Sequence, residues 1–210
     1  MLRKHLLQNA GMRVFIAIGV FHSMDIFGQG PSHAGEVVFV TKVSELGLAD
    51  SPLTRGKQKD DKVKVVLQGS LIIPARKELP VSKEAADWSS PEKAAISDYS
   101  ANVADDLDWI LKGWVAEERE KIKGMMANEQ IRTRKRAAHA DSKGFLIHGV
   151  VYHGEYAIIL AKHDVERASL GLPIAFKKTG EGWKKTNALA GNEVMGVVFS
   201  AFNRGKISQK

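Results

Sequence analysis

Cysteine is absent from all 210 residues, which excludes disulfides, thiolate metal sites and cysteine nucleophiles. An exported form would therefore hold its fold by core packing alone. Proline is scarce, and no stretch has the biased composition of a disordered or low-complexity tract. No apolar run approaches the roughly 20 residues needed to span a bilayer. Catalytic signatures are missing too: there is no Gly-rich phosphate loop, no His-Glu-x-x-His and no Ser-His-Asp order on a recognisable elbow. What the chain does have is 44% hydrophobic residues, enough to bury a core in one domain with an extension or in two small domains.

The first residues read as a signal peptide over 1–34. Arg3, Lys4 and Arg13 are basic, Val14–Phe21 is a short apolar run, and Ser32-His33-Ala34 puts small residues where a signal peptidase cuts. Translation would begin at Met1 or Met12, and the product would be periplasmic or secreted. Without a cysteine after the run, a lipoprotein anchor is excluded. Cleavage would remove three basic residues and one acidic, lowering the formal charge from +7 to +5. Only Arg132-Thr-Arg-Lys-Arg136 concentrates that charge. With no aromatic or glycine neighbours it reads as a solvated face, so nucleic-acid binding through Arg132–Arg136 ranks below the other readings.

Gly35–Val43 is β-branched and predicts a strand, followed by a polar loop over Ser44–Lys62. Val63, Val65 and Leu67 alternate and lead to Leu71-Ile72-Ile73, with Gly69 as a bulge candidate. Residues 35–90 form a β extension and linker, either a subdomain or extra strands on a main sheet. A helix opens at Ser90-Pro91-Glu92, where Ser90 caps, Pro91 suits the first helical position and Glu92 favours the positive dipole end. A second helix runs from Leu107, with an apolar stripe through Ile110, Leu111, Trp114, Val115, Ile122 and Met125. Asp105, Asp106 and Asp108 at its start read as caps and dipole partners rather than metal ligands.

Phe145–Asn187 organises the rest. Two apolar runs, Phe145–Tyr152 and Glu155–Lys162, meet at a two-residue His153-Gly154 turn, and a second strand pair surrounds Thr179-Gly-Glu-Gly182. This register pairs Val151 with Tyr156 and Ile147 with Leu160. Phe145, Ile147, Gly149, Val151, Tyr156, Ile158 and Leu160 then share one face. A large side chain at Gly149 would intrude on the helix carrying Ile110, Leu111 and Trp114. The other face is also largely apolar, so both faces are covered or line a pocket. His148 and His153 fall on opposite faces and make no joint metal site. Near the end, Val194, Val197, Val198, Ala201 and Phe202 recur at helical spacing, with Asn192 as cap and Gly205 as stop.

The order helix, helix, antiparallel strands, with Ser90-Pro-Glu-Lys-Ala94 early and Phe176-Lys-Lys-Thr-Gly-Glu-Gly-Trp-Lys184 late, resembles the nuclear transport factor 2-like superfamily over residues 91–190. Asp105-Asp106 stands where that family breaks between its first two helices. The resemblance implies an α+β domain over 91–205: N-terminal helices packed on a curved, cone-like antiparallel β-sheet, with an N-terminal β extension and a short C-terminal helix. It also implies a ligand pocket, for which Tyr99, Trp114, His148, Tyr152 and Trp183 are the candidates. No catalytic residue, metal or cofactor carries over. The expectation is an exported non-catalytic module binding an apolar small ligand or a protein partner, with a homodimer through an open sheet face as one form. A small isomerase or cyclase on the same scaffold is the alternative.

Overall fold

A computed structural model describes residues 35–46, 51–140, 142–165 and 171–210. The proposed signal peptide over 1–34 lies outside the described residues. The described chain runs β1 (Gly35–Lys42), β2 (Lys62–Glu78), α1 (Pro91–Val103), α2 (Leu107–Lys112), α3 (Arg119–Met126), α4 (Glu129–Ala140), β3 (Phe145–His153), β4 (Tyr156–His163), β5 (Leu172–Thr179), β6 (Gly182–Lys185), α5 (Glu193–Asn203) and β7 (Ile207–Gln209). All seven strands join one antiparallel sheet in the order β6-β5-β4-β3-β2-β1-β7.

This corrects the expected fold class. The sheet is open rather than closed into a cone, and two strands precede the first helix. Of the two arrangements open for residues 35–75, β1 and β2 take the second: they are strands of the main sheet, between β3 and β7. The physical reason lies in the alternation of β2. Val63, Val65 and Leu67 are buried while Lys62, Lys64, Val66 and Gln68 are exposed, and the buried set packs with Val37, Phe39, Val151, Ile158 and Leu160 under α5. Standing apart, those side chains would remain in water, forfeiting about 1.5–3 kcal/mol each.

The hairpin register also differs by one step at the turn. The structure pairs His153 with Tyr156, Tyr152 with Ala157 and Val151 with Ile158, so the turn residues are Gly154 and Glu155. Gly154 has φ +58°, and a II′-type turn wants glycine at its first central position. A second departure follows at His148, where the β3–β4 pairing slips between Ile147 and Gly149. The bulge turns Phe145 and Ile147 onto the face opposite Val151, against α1. The expected single face of Phe145, Ile147 and Val151 is thus split in two. The β2–β3 ladder is interrupted at the same level, between Leu71 and Arg76, rather than at Gly69.

Both faces of β3 and β4 are covered. On one, α5 lays Val197, Val198, Ala201 and Phe202 on β1, β2, β4 and β5. On the other, α1 lays Ala94, Ala95 and Tyr99 on Phe145, Ile147, Val150, Ala157, Ile159 and Phe176. Over β2 that second face is uncovered, with Lys64, Val66 and Gln68 exposed. α1 starts as read: Ser90 accepts from the Lys93 amide and Pro91 takes the first position. The second helix does not run through to Met125. It stops at Lys112, and the chain turns through Gly113 and Trp114 before α3. The basic run lies on α4, which has no buried residue.

Candidate functional site

The five residues expected to line a pocket do not meet. Tyr99 is buried between α1 and β3, where its ring stacks on Phe145 at 5.0 Å. Tyr152 and Trp183 flank the same face, half-buried. Trp114 belongs to a separate cluster with Trp109, Ile110, Ile122 and Met126. His148 is on the other side of the sheet, edge-on to Phe202 of α5 with ring centroids 5.2 Å apart. The bulge put it there. Burial, with Lys162 nearby, holds its imidazole below the usual histidine range.

Two other groupings carry the polar chemistry. The first lies beneath α4. Asp98 on α1 is buried and accepts from Lys185 Nζ on β6 at 2.8 Å. Beside it, His139 of α4 and His163 of β4 bring their rings within 4.7 Å, and both rings rest against Tyr99. Burial, and then the neighbouring His163 and Lys135, push the His139 imidazole down to about 4. His163 is lowered by burial and by Lys185. Ser142 donates to the Gly144 carbonyl, so the Tyr99 hydroxyl must donate to Ser142, at 2.8 Å. Asp105 fixes the outer side of α4 by accepting from Arg132 and Arg136 at 2.8 and 2.7 Å. Two arginines of the basic run are thereby spent on a carboxylate. Asp106 caps α2 through the Trp109 amide, in line with the capping role read for these carboxylates. Of Asp98, Tyr99, His139, His163 and Lys185, the sequence singled out Tyr99 alone; the others come from four different elements. Among the described residues no group of three or more histidines and carboxylates is placed to hold a metal.

The second grouping is at the sheet edges, which differ. β6 is sealed on its outer side: the Trp183 amide donates to the Trp88 carbonyl at 2.8 Å, Lys185 to Gly113 at 2.8 Å, and Val115 to Lys185 at 3.0 Å. Lys184 turns inward from that edge, buried over the Trp88 ring and donating to the Lys112 carbonyl at the C-terminus of α2. At the other end, β7 has β1 on one side and no described strand on the other. Beside it lies an open hollow of about 350 Å³ lined by Val40, Thr41, Lys42, Lys62, Lys206, Ile207 and Ser208. A second shallow hollow, about 240 Å³, lies between Pro173 and α5. None of the five expected residues lines either one.

No protein-family model and no curated protein matches the chain. Among solved structures it is similar to a SEC-C motif containing protein from Rhodopseudomonas palustris, determined in solution. The two are 19% identical with a TM-score of 0.32, over 46% of this chain and 75% of that one. A likeness of this extent carries no argument about fold or function.

Proposed function

We propose that the protein is an exported, non-catalytic module that binds a protein partner along the open edge of its sheet. The observation that carries this reading is the asymmetry of the edges: β6 is sealed by Trp88 and Gly113–Val115, while β7 offers backbone groups beside an apolar hollow. An exposed sheet edge is a ready template for an added strand. An apolar small ligand has less support, because α1 and α5 fill the two sides of β3 and β4, where an interior pocket would form. Export rests on the residues before Gly35. A photo-crosslinking side chain at Ser208, with one at Gly180 in the opposite hairpin as control, is expected to give a discrete protein adduct from Ser208 alone. Equal adducts from both positions, or none, would sink the reading.

The cluster beneath α4 favours a second reading, catalysis, since a buried carboxylate, a lysine, a tyrosine and two histidines lie together there. Against it, Lys185 already holds Asp98, the Tyr99 proton is committed to Ser142, and neither hollow reaches them.

A further inference from the structure

The chemistry of the β7 edge says what kind of partner would fit it. Along β7 the Lys206 carbonyl accepts from the Val40 amide at 3.1 Å, and the Lys210 amide donates to the Glu36 carbonyl at 2.9 Å. Ser208 is registered opposite Val38 between these two bonds. Antiparallel pairing alternates, so Ile207 and Gln209 turn their backbone N–H and C=O groups away from β1. Such groups gain most from a partner that is itself extended.

The side chains around them share one sign. The hollow is lined by three lysines and no carboxylate, over Val40 and Ile207. Lys42 shares an exposed ion pair with Asp60 at 3.0 Å, while Lys62 and Lys206 have no ion pair among the described residues. Of the acidic groups around them, Asp61 accepts from the Gln58 amide, and Glu45 feels the Lys206 charge without forming an ion pair with it. Glu45 accepts from Thr41 and from the Lys42 amide and pairs with Arg204 at 3.5 Å, and Glu36 lies 3.8 Å from Lys210.

Resting on the edge-docking reading above, we propose that this edge receives an extended acidic peptide segment. It adds as a strand beside β7, sets an apolar side chain in the hollow and brings carboxylates to Lys62 and Lys206. A second copy of the chain fits the edge less well. Antiparallel self-pairing centred on Ser208 sets Lys206 of one copy against Lys210 of the other, and like charges directly opposite are destabilising. Lysines on an edge strand commonly deter such self-pairing; here the same charges select the sign of a foreign strand.

Fluorescence anisotropy of the full chain with a short valine–glutamate peptide tests this, with a valine–lysine peptide as the charge control. The acidic peptide is expected to bind at least about tenfold tighter at low salt, and to lose that advantage as salt rises. N-methylation of alternate residues of the acidic peptide is expected to abolish binding, because it removes the hydrogen bonds a strand needs. Lys62→Glu combined with Lys206→Glu should reverse the preference, a gain for the basic peptide that a misfolded variant would not show. If basic and acidic peptides bind equally, the edge remains a docking site but the acidic class is overturned. If neither binds, both readings fall. A dimer in sedimentation that dissociates on Ile207→Lys would assign the edge to a second copy and overturn the proposal.

Discussion

At Gly69 and Gly149, β2 and β3 approach more closely than side chains allow. A Cβ on Gly69 would lie 2.2 Å from the Val150 carbonyl oxygen, and one on Gly149 would lie 2.5 Å from that of Ser70. The obstacle at Gly149 is therefore the neighbouring strand, not the helix carrying Ile110 and Trp114 as the sequence suggested. Backbone cannot rotate aside as a side chain can. Gly149→Leu is expected to cost about 3 kcal/mol or more, at or above the usual overpacking range. Glu155→Gln at the turn, which loses only an exposed ion pair to Lys177, should stay within about 0.5 kcal/mol. Urea midpoints compare the two, and equal losses would contradict the packing described. The histidines make a second prediction. A histidine whose folded pKa is lowered is protonated first in the unfolded chain, so its contribution is complete above the ordinary value of 6.5. It is then lost as pH falls from 6.5 towards about 4. His139→Gln should flatten the fall in stability across that window by roughly 1 kcal/mol, discounted for the part of the ring that solvent reaches. Equal slopes in the two proteins would show that His139 does not set the acid response.

At the scale of elements, the caps were legible and the breaks were not. Ser90-Pro91 and Asn192 mark helix starts by local chemistry alone, and both do so in the structure. Asn192→Ala should cost about 1 kcal/mol in a denaturant titration by leaving the Val194 amide without its acceptor. The stop after Lys112 carries only weak local marks, Gly113 and the lysine itself. Gly113 packs beneath Trp88 and its carbonyl accepts from Lys185, so the chain leaves the helix to seal the edge of a strand some 70 residues later. α1 is anchored in a comparable way. Ser97 and Ser100 accept from the amides of Asp87 and Val81, and Asp98 clasps Lys185 of β6. Truncating one partner of a fully buried ion pair typically costs about 3–5 kcal/mol, and a pair whose lysine is partly exposed, as Lys185 is, falls below that range. Asp98→Ala should accordingly be among the most destabilising single changes in α1, read as a drop in thermal midpoint. Ser97→Ala, which removes one neutral hydrogen-bonding group, should cost about 1–2 kcal/mol.

For the whole molecule, the antiparallel sheet follows from where the apolar residues recur. β-branched runs with period two require a covered face, and β3 and β4, apolar on both sides, require two. The two covers are helices far apart in the chain, α1 at Pro91–Val103 and α5 at Glu193–Asn203. Export belongs to this scale as well. If residues 1–34 are removed, intact mass of the natural product should match a chain beginning at Gly35, and a product that keeps Met1 would exclude cleavage.

Composition and periodicity alone determined that this is a cysteine-free α+β chain, with strands at Gly35, Val63 and Phe145 and helices opening at Ser90 and Asn192. Those features depend on residues within a few positions of one another, where propensity, capping and alternation act. The tertiary structure alone decided that β1 and β2 join the main sheet, that His148 bulges and sends Phe145 to the α1 face, and that one edge is sealed while the other has no neighbour among the described residues. It also brought Asp98, His139, His163 and Lys185 together. Each of these is a contact between segments far apart in the chain, made only when their surfaces are buried together, so no local pattern of residues records it.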